Sequence, residues 1–165
     1  MNLFRSFIIA TIASPAILSA EPLKPELRYT IFIAKSAQDL WTALTEKKVV
    51  DQYFMVPLHT IELKKGGKIS YGADEEVVTG EIKEITPPTK LVHIFKFDGS
   101  DSAVTTVTYE IEPFGNAMCS LTISHTGFES EDQSFAHISS GWAVIASSLK
   151  SVLETGHNQP WPKPE

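Results

Sequence analysis

Residues 134–156, SFAHISSGWAVIASSLKSVLETG, constrain the fold more than any other stretch of the chain. At 100° per residue, Phe135, Ile138, Trp142, Ile145, Leu149, Val152 and Leu153 fall within an arc of about 100°, the pattern of a helix with one buried stripe. The opposite face carries Ser140, Ser147, Lys150, Ser151 and Glu154. A stripe of that length needs an apolar surface to cover it, and the chain before it is mostly strand-like. The expected class is therefore α+β, with one long terminal helix laid against a sheet. Gly141 sits beside Trp142 in mid-helix, where glycine costs about 1 kcal/mol relative to alanine. That cost predicts close approach of a neighbour or a ligand at this point.

The preceding chain reads in order as strand, two short helices, then five or six antiparallel strands. Residues 27–34, LRYTIFIA, are dense in β-formers. Ser36 with Asp39 resembles a capping box in which Asp replaces the usual Glu or Gln. Ala37, Leu40, Trp41 and Leu44 share the face of the helix that follows. Val49, Val50, Tyr53 and Phe54 begin a second helical stripe, which Pro57 closes. Gly66-Gly67 predicts a hairpin between 61–63 and 68–71, both glycines accepting positive φ. Pro87-Pro88 forces a turn between strands over 76–85 and 90–97, and Asp98-Gly99 the next. Alternation puts Val107, Tyr109 and Ile111 on one side of a strand over 104–112, with Glu110 and Glu112 on faces open to solvent. After the turn at Gly115-Asn116, Cys119, Leu121, Ile123 and His125 share one side of a strand over 117–126, and 129–133 is a polar connector.

The first twenty residues, MNLFRSFIIATIASPAILSA, follow a different logic. Arg5 precedes an apolar run over 7–18, Ser19 and Ala20 are small, and acidic residues begin at Glu21. This is the order of a secretory signal peptide cut near Ala20, although Leu18 is bulky for its place before the cut. The run contains Pro15 and is shorter than the roughly 20 apolar residues of a membrane span, the alternative being an uncleaved anchor helix. The expected divisions are a signal peptide over 1–20, an extended leader over 21–26, one domain over 27–156 and a Pro-rich tail over 157–165. The mature protein is expected to be exported, periplasmic or secreted, without stable membrane insertion.

Twenty Asp and Glu against 14 Lys and Arg give a formal net charge of −6, which argues against nucleic acid and anionic lipid surfaces as partners. Cys119 is the single cysteine, so no disulfide pair stands in for a core, and its apolar surroundings predict a buried small hydrophobe.

In four stretches the sequence resembles the helix-grip proteins, the SRPBCC or START-like superfamily that includes START lipid-binding domains and the birch-pollen-allergen family. The stretches are the first strand into LWTALTEKKVVDQYF, then VTGEIKEITPPTKLVHIFKF, TYEIEPFGNAMCSLTISHTGF and SSGWAVIASSLKSVLETG. Within that superfamily it is most similar to the bacterial branch related to the C-terminal domain of the heat-shock-protein ATPase activator. The resemblance implies a curved antiparallel sheet gripping the terminal helix, with a cavity between them that relatives use for sterols, lipids, polyketides or hormones. Some relatives are cyclases or hydrolases. The chain departs from the branch in its export signal, which removes a cytosolic chaperone as partner. It also has Tyr53-Phe54 where the branch often has tryptophan near the cavity mouth.

No residue pattern identifies a catalytic residue, a metal site or a cofactor. His59, His93, His125, His137 and His157 are scattered, without a metal-binding frame, and there is no GxSxG elbow or phosphate-cradling loop. The candidate ligand cavity is lined by Trp41, Phe95, Phe97, Tyr109, His125, Phe128, Gly141, Trp142, Ile145 and Leu149, an apolar wall with few polar groups. Tyr109 and His125 are the groups placed to orient a ligand. The other reading of His125 is a strand-end histidine hydrogen-bonded to nearby backbone. The function expected is retention of a small hydrophobic molecule. The alternatives are an enzyme of the cyclase or hydrolase kind using His125 as acid or base, and a chaperone-like interaction module using the sheet face or the tail around Trp161.

Overall fold

The computed structural model describes residues 24–98 and 103–159. The expected signal peptide over 1–20, the leader through residue 23, Gly99 of the turn at Asp98-Gly99 and the tail from residue 160, Trp161 included, lie outside the described residues.

Strand β1 (Leu27–Ile33) leads into α1 (Ala37–Thr45) and α2 (Lys47–Tyr53). The expected capping box forms: Ser36 Oγ accepts from the Asp39 N–H at 3.1 Å, and Asp39 Oδ2 accepts from the Ser36 N–H at 3.2 Å. The Ser36 side-chain and backbone bonds hold the Asp39 carboxyl below its ordinary range. Tyr53 ends α2 by turning inward, where its hydroxyl donates to the Ala43 carbonyl at 3.1 Å. Phe54 stands just past the helix instead of extending its stripe.

Strands β2 (Leu58–Ile61), β3 (Lys68–Tyr71), β4 (Val78–Thr86), β5 (Lys90–Phe97), β6 (Thr105–Phe114) and β7 (Met118–Thr126) follow. With β1 they form one seven-stranded sheet in the order β1-β7-β6-β5-β4-β3-β2, every pair antiparallel. Register shifts at Leu58/Thr60 and Ile82/Glu84 bend the sheet into a curve, as extra residues in a ladder do. Gly80 lies in β4 beside the second of them. A Cβ there would stand 1.9 Å from the Ile94 carbonyl oxygen, so only glycine lets the two strands approach this closely.

Two expectations need correction. Gly66 alone of the Gly66-Gly67 pair has positive φ, at 78°; Gly67 is required for space, its missing Cβ falling 2.1 Å from the Glu62 carbonyl oxygen. β2 also ends at Ile61, so Glu62 and Leu63 belong to the connection and Leu63 is exposed.

Helix α3 (Gln133–Thr155) begins one residue before the expected stretch because Asp132 caps it, Oδ1 accepting from the Phe135 N–H at 2.9 Å. Gly156 closes it in the left-handed conformation, φ 79°. The stripe is buried as its spacing requires, Leu149 completely and Trp142 nearly so, while Phe135, Ile138 and Leu153 are half-buried. The far face does more than meet water. Lys150 Nζ donates to the Phe32 carbonyl at 2.6 Å and Glu154 Oε1 accepts from the Ala34 N–H at 2.8 Å, tying the helix to edge strand β1. The start of the tail is also tied down, Asn158 Nδ2 donating to the Gln52 carbonyl at 2.7 Å.

The concave face of the sheet carries the core. One row across it reads Ile82, His93, Val107, His125 and Leu27, and the next reads Leu91, Tyr109, Ile123 and Tyr29. Cys119 is fully buried, and burial raises its thiol pKa, as a small hydrophobe requires.

Candidate functional site: an apolar pocket beside Trp142

Sheet curvature leaves a space between α3 and strands β4–β5 that the core does not fill. It is a pocket of about 220 Å³, walled by Gly141, Trp142 and Ile145 from α3, Phe95 and Phe97 from β5, and Val77 and Val78 at the start of β4. Phe54, Met55 and Val56, between α2 and β2, form a further wall, with His137 and Ile138 completing it. Met55 and Val77 are largely exposed, at 59% and 44%, whereas Trp142, Val78 and Ile145 are buried, so the pocket opens outward from a buried floor. Phe54 is held by a stack on Tyr71 (centroids 4.6 Å apart) and an edge contact to Trp142 at 6.2 Å. Aromatic rings thus fix the wall nearest the mouth.

Trp142 is positioned by a directed hydrogen-bond chain. Its Nε1–H donates to His125 Nδ1 at 2.9 Å. An indole nitrogen can only donate, so Nδ1 is the acceptor and the His125 proton resides on Nε2. Nε2 then donates to Thr105 Oγ1 at 2.7 Å, and that hydroxyl donates to the Phe95 carbonyl at 2.8 Å. Every polar atom of the relay is satisfied in a buried setting. Burial, and secondarily the proximity of His93, lowers the His125 pKa to about 3.

His93 lies one strand further along the same row. Its Nδ1 donates to the Ile94 carbonyl at 2.7 Å, and its ring stacks near Tyr109, centroids 5.9 Å apart. Nε2 is buried without a hydrogen-bond partner, and burial brings the pKa to about 4 against the opposing effect of the carbonyl bond. Tyr71 and Tyr109 share a hydrogen bond through their hydroxyls, and burial raises both pKa values.

The structure brings together half of the residues read from sequence as the cavity. Phe95, Phe97, Gly141, Trp142 and Ile145 line the pocket. Trp41, Tyr109, His125 and Leu149 do not: all are buried, Trp41 on α1 and the others behind the pocket floor in the core. Phe128 lies instead in an adjoining hollow and packs 4.7 Å from the His125 ring. The expectation that His125 is bonded to backbone is also corrected, since both its nitrogens are bonded to side chains. Nor does His125 supply an inward acid or base: its ring is off the pocket wall and its Nδ1 lone pair is committed to Trp142.

Phe54, expected near the cavity mouth from the resemblance, does line the pocket, whereas Met55, Val56, Val77, Val78, His137 and Ile138 join it without having been among the expected cavity residues. The run FMVP after α2 was a usable signal, being too apolar for a plain connection. Gly141 faces the pocket, but the close approach of a neighbour expected from its mid-helix position is not seen: the nearest atom to a Cβ there is Met55 Sδ at 3.4 Å, the end of a flexible side chain. Among the described residues no helix is long and apolar enough to cross a membrane, and no group of His, Cys, Asp and Glu is placed to hold a metal ion.

A curved antiparallel sheet, two short helices after its first strand and a long terminal helix against its concave face define a helix-grip protein of the SRPBCC superfamily. Within it, the chain belongs to the family described as activator of Hsp90 ATPase homolog 1-like protein, whose profile matches residues 34–154. Among solved structures it is similar to the Aha1 dimer from Colwellia psychrerythraea (TM-score 0.70, 19% identity, covering 80% of this chain and 98% of that one). An HSP90 activator from Plasmodium falciparum aligns with TM-score 0.67 and 23% identity over 78% of this chain and 95% of that one. CalU16 from Micromonospora echinospora aligns with TM-score 0.67 and 18% identity over 82% and 77%. At these identities the likeness is one of fold. No curated protein matches the chain.

Proposed function

We propose that this protein is an exported binding protein that holds a small hydrophobic molecule against Trp142. The observation that carries the reading is the pocket wall, apolar throughout except for His137. Ligand sites are concave and mainly apolar, with rings that make contact at little entropic cost. At about 220 Å³ the space is below the roughly 300–1,000 Å³ of drug-sized sites, which favours a short chain or a small ring system. Phe54 and Trp142 present aromatic surface to such a molecule. The relay through His125 and Thr105 keeps the indole in place whether or not the pocket is filled.

The test is titration with the neutral fluorophore phenylnaphthylamine. Saturable enhancement at one probe per chain is expected, and an enhancement that rises linearly without saturation contradicts the reading. Export rests on the residues at the N-terminus: Arg5, the apolar run over 7–18 and the small pair Ser19-Ala20. Intact-mass measurement of protein recovered from the periplasm or medium of a bacterial host is expected to give a chain lacking about the first 20 residues. A full-length mass, confined to the membrane fraction, contradicts export as a mature soluble chain.

A further inference from the structure

The pocket does not end at Phe97. A second hollow of about 90 Å³ shares Phe95, Phe97 and Ile138 with it, one turn nearer the start of α3. The chemistry changes across those shared side chains. Beyond them the wall carries Thr105, Glu129, Ser130, Asp132 and Ser134. Thr105 spends its hydroxyl between His125 and the Phe95 carbonyl. Asp132 uses Oδ1 to cap α3, so the positive end of the helix is already faced by a carboxylate. Glu129 is paired with Lys24 at 2.6 Å, but that ion pair is exposed and weakly held. The hollow is thus rich in acceptors, since carboxylates accept only, and the two serine hydroxyls can complement either kind of partner.

We propose that the molecule held is an amphiphile lying along the first half of α3. Its apolar body fills the pocket at Trp142, and a neutral or cationic head bearing hydroxyl or amine donors occupies the second hollow against Asp132, Ser130 and Ser134. This rests on the apolar-pocket reading and adds the chemistry of the head group. A carboxylate or phosphate head would bring a further negative charge beside Asp132 and would offer its carboxylate no donor.

Octanol, octylamine and octanoate, matched in chain length, test the assignment by displacing phenylnaphthylamine from the full chain at neutral pH. The alcohol and the amine are expected to act at concentrations at least about tenfold lower than octanoate, a difference of about 1.4 kcal/mol. Asp132→Asn keeps the helix cap, since Asn caps as well as Asp, and removes the charge. It is expected to shrink the preference for amine over octanoate several-fold at unchanged Tm. Equal displacement by all three, stronger displacement by octanoate, or a preference unmoved by D132N overturns the head-group assignment while the probe still binds. If neither the probe nor any of the three binds, the apolar-pocket reading falls with it.

Discussion

Leucine in place of Gly141 is expected to exclude ligand from the pocket without unfolding the protein. Gly141 faces the pocket from α3 and has no left-handed backbone that only glycine would adopt. The nearest atom to an added Cβ is Met55 Sδ at 3.4 Å, the flexible end of a side chain that is 59% exposed. The helix itself gains about 1 kcal/mol when glycine leaves its interior. The leucine side chain therefore grows into the pocket and not into the core. Affinity for phenylnaphthylamine is expected to fall at least about 100-fold, or 2.7 kcal/mol, with Tm unchanged or raised. Gly141→Ala is expected to show the same trend in miniature. Trp142→Ala is a poorer probe of binding, because it removes a buried ring and strands the His125 Nδ1 lone pair. Its cost of about 3–5 kcal/mol would mix stability with affinity.

Acid is expected to destabilise the protein well before carboxylates titrate. His93 and His125 have folded pKa values of about 4 and about 3, both below the ordinary 6.5. Between those values and 6.5 the unfolded chain binds more protons than the folded one, so stability rises with pH. The contribution is complete above about pH 6.5 and is lost as pH falls toward the folded values. At 1.36 kcal/mol per unit, the loss is on the order of 3 kcal/mol for His93 and somewhat more for His125. Together these rival the whole stability of a typical domain. Asp39, Glu76 and Glu154, whose pKa values are lowered by hydrogen bonds, add to the loss only further down. Urea midpoints measured from pH 7.5 to pH 4.5 are expected to decline steadily below 6.5. A variant carrying His93→Phe and His125→Gln keeps the ring at one site and an amide that can both accept and donate at the other, and should be nearly flat to pH 5. A wild-type midpoint that holds constant to pH 4.5 contradicts this account of the two rings.

The fold was legible because its signals are long and periodic. The α3 stripe, the alternation of β6 and β7 and the Ser36/Asp39 cap are local patterns, and each forms as read. The family followed from the order and spacing of such segments, which matches the profile over residues 34–154. The pocket was only half legible, for a physical reason. Alternation says which side of a strand faces inward, not whether an inward residue meets another side chain or empty space. Tyr109, His125 and Leu149 face inward as read, yet all three are buried in the core, the first two against Trp142 of α3. Met55 and Val56 carry no periodic signal, and Phe54, read as part of a helical stripe, stands past the end of α2; all three belong to the connection that crosses the pocket only after α2 and β2 are placed. The histidine relay was likewise hidden. Thr105, His125 and Trp142 are 20 and 17 residues apart in pairs, and only the sheet register and the lie of α3 bring them together.

The central claim is that the space beside Trp142 holds a small apolar molecule. Native mass spectrometry of the protein and of Gly141→Leu, each equilibrated with the same lipid extract from a bacterial culture and then freed of excess, tests it most directly. The account predicts one small molecule retained per chain by the unsubstituted protein and none by G141L. Retention of nothing by either protein, or of the same molecule in equal amount by both, would contradict it.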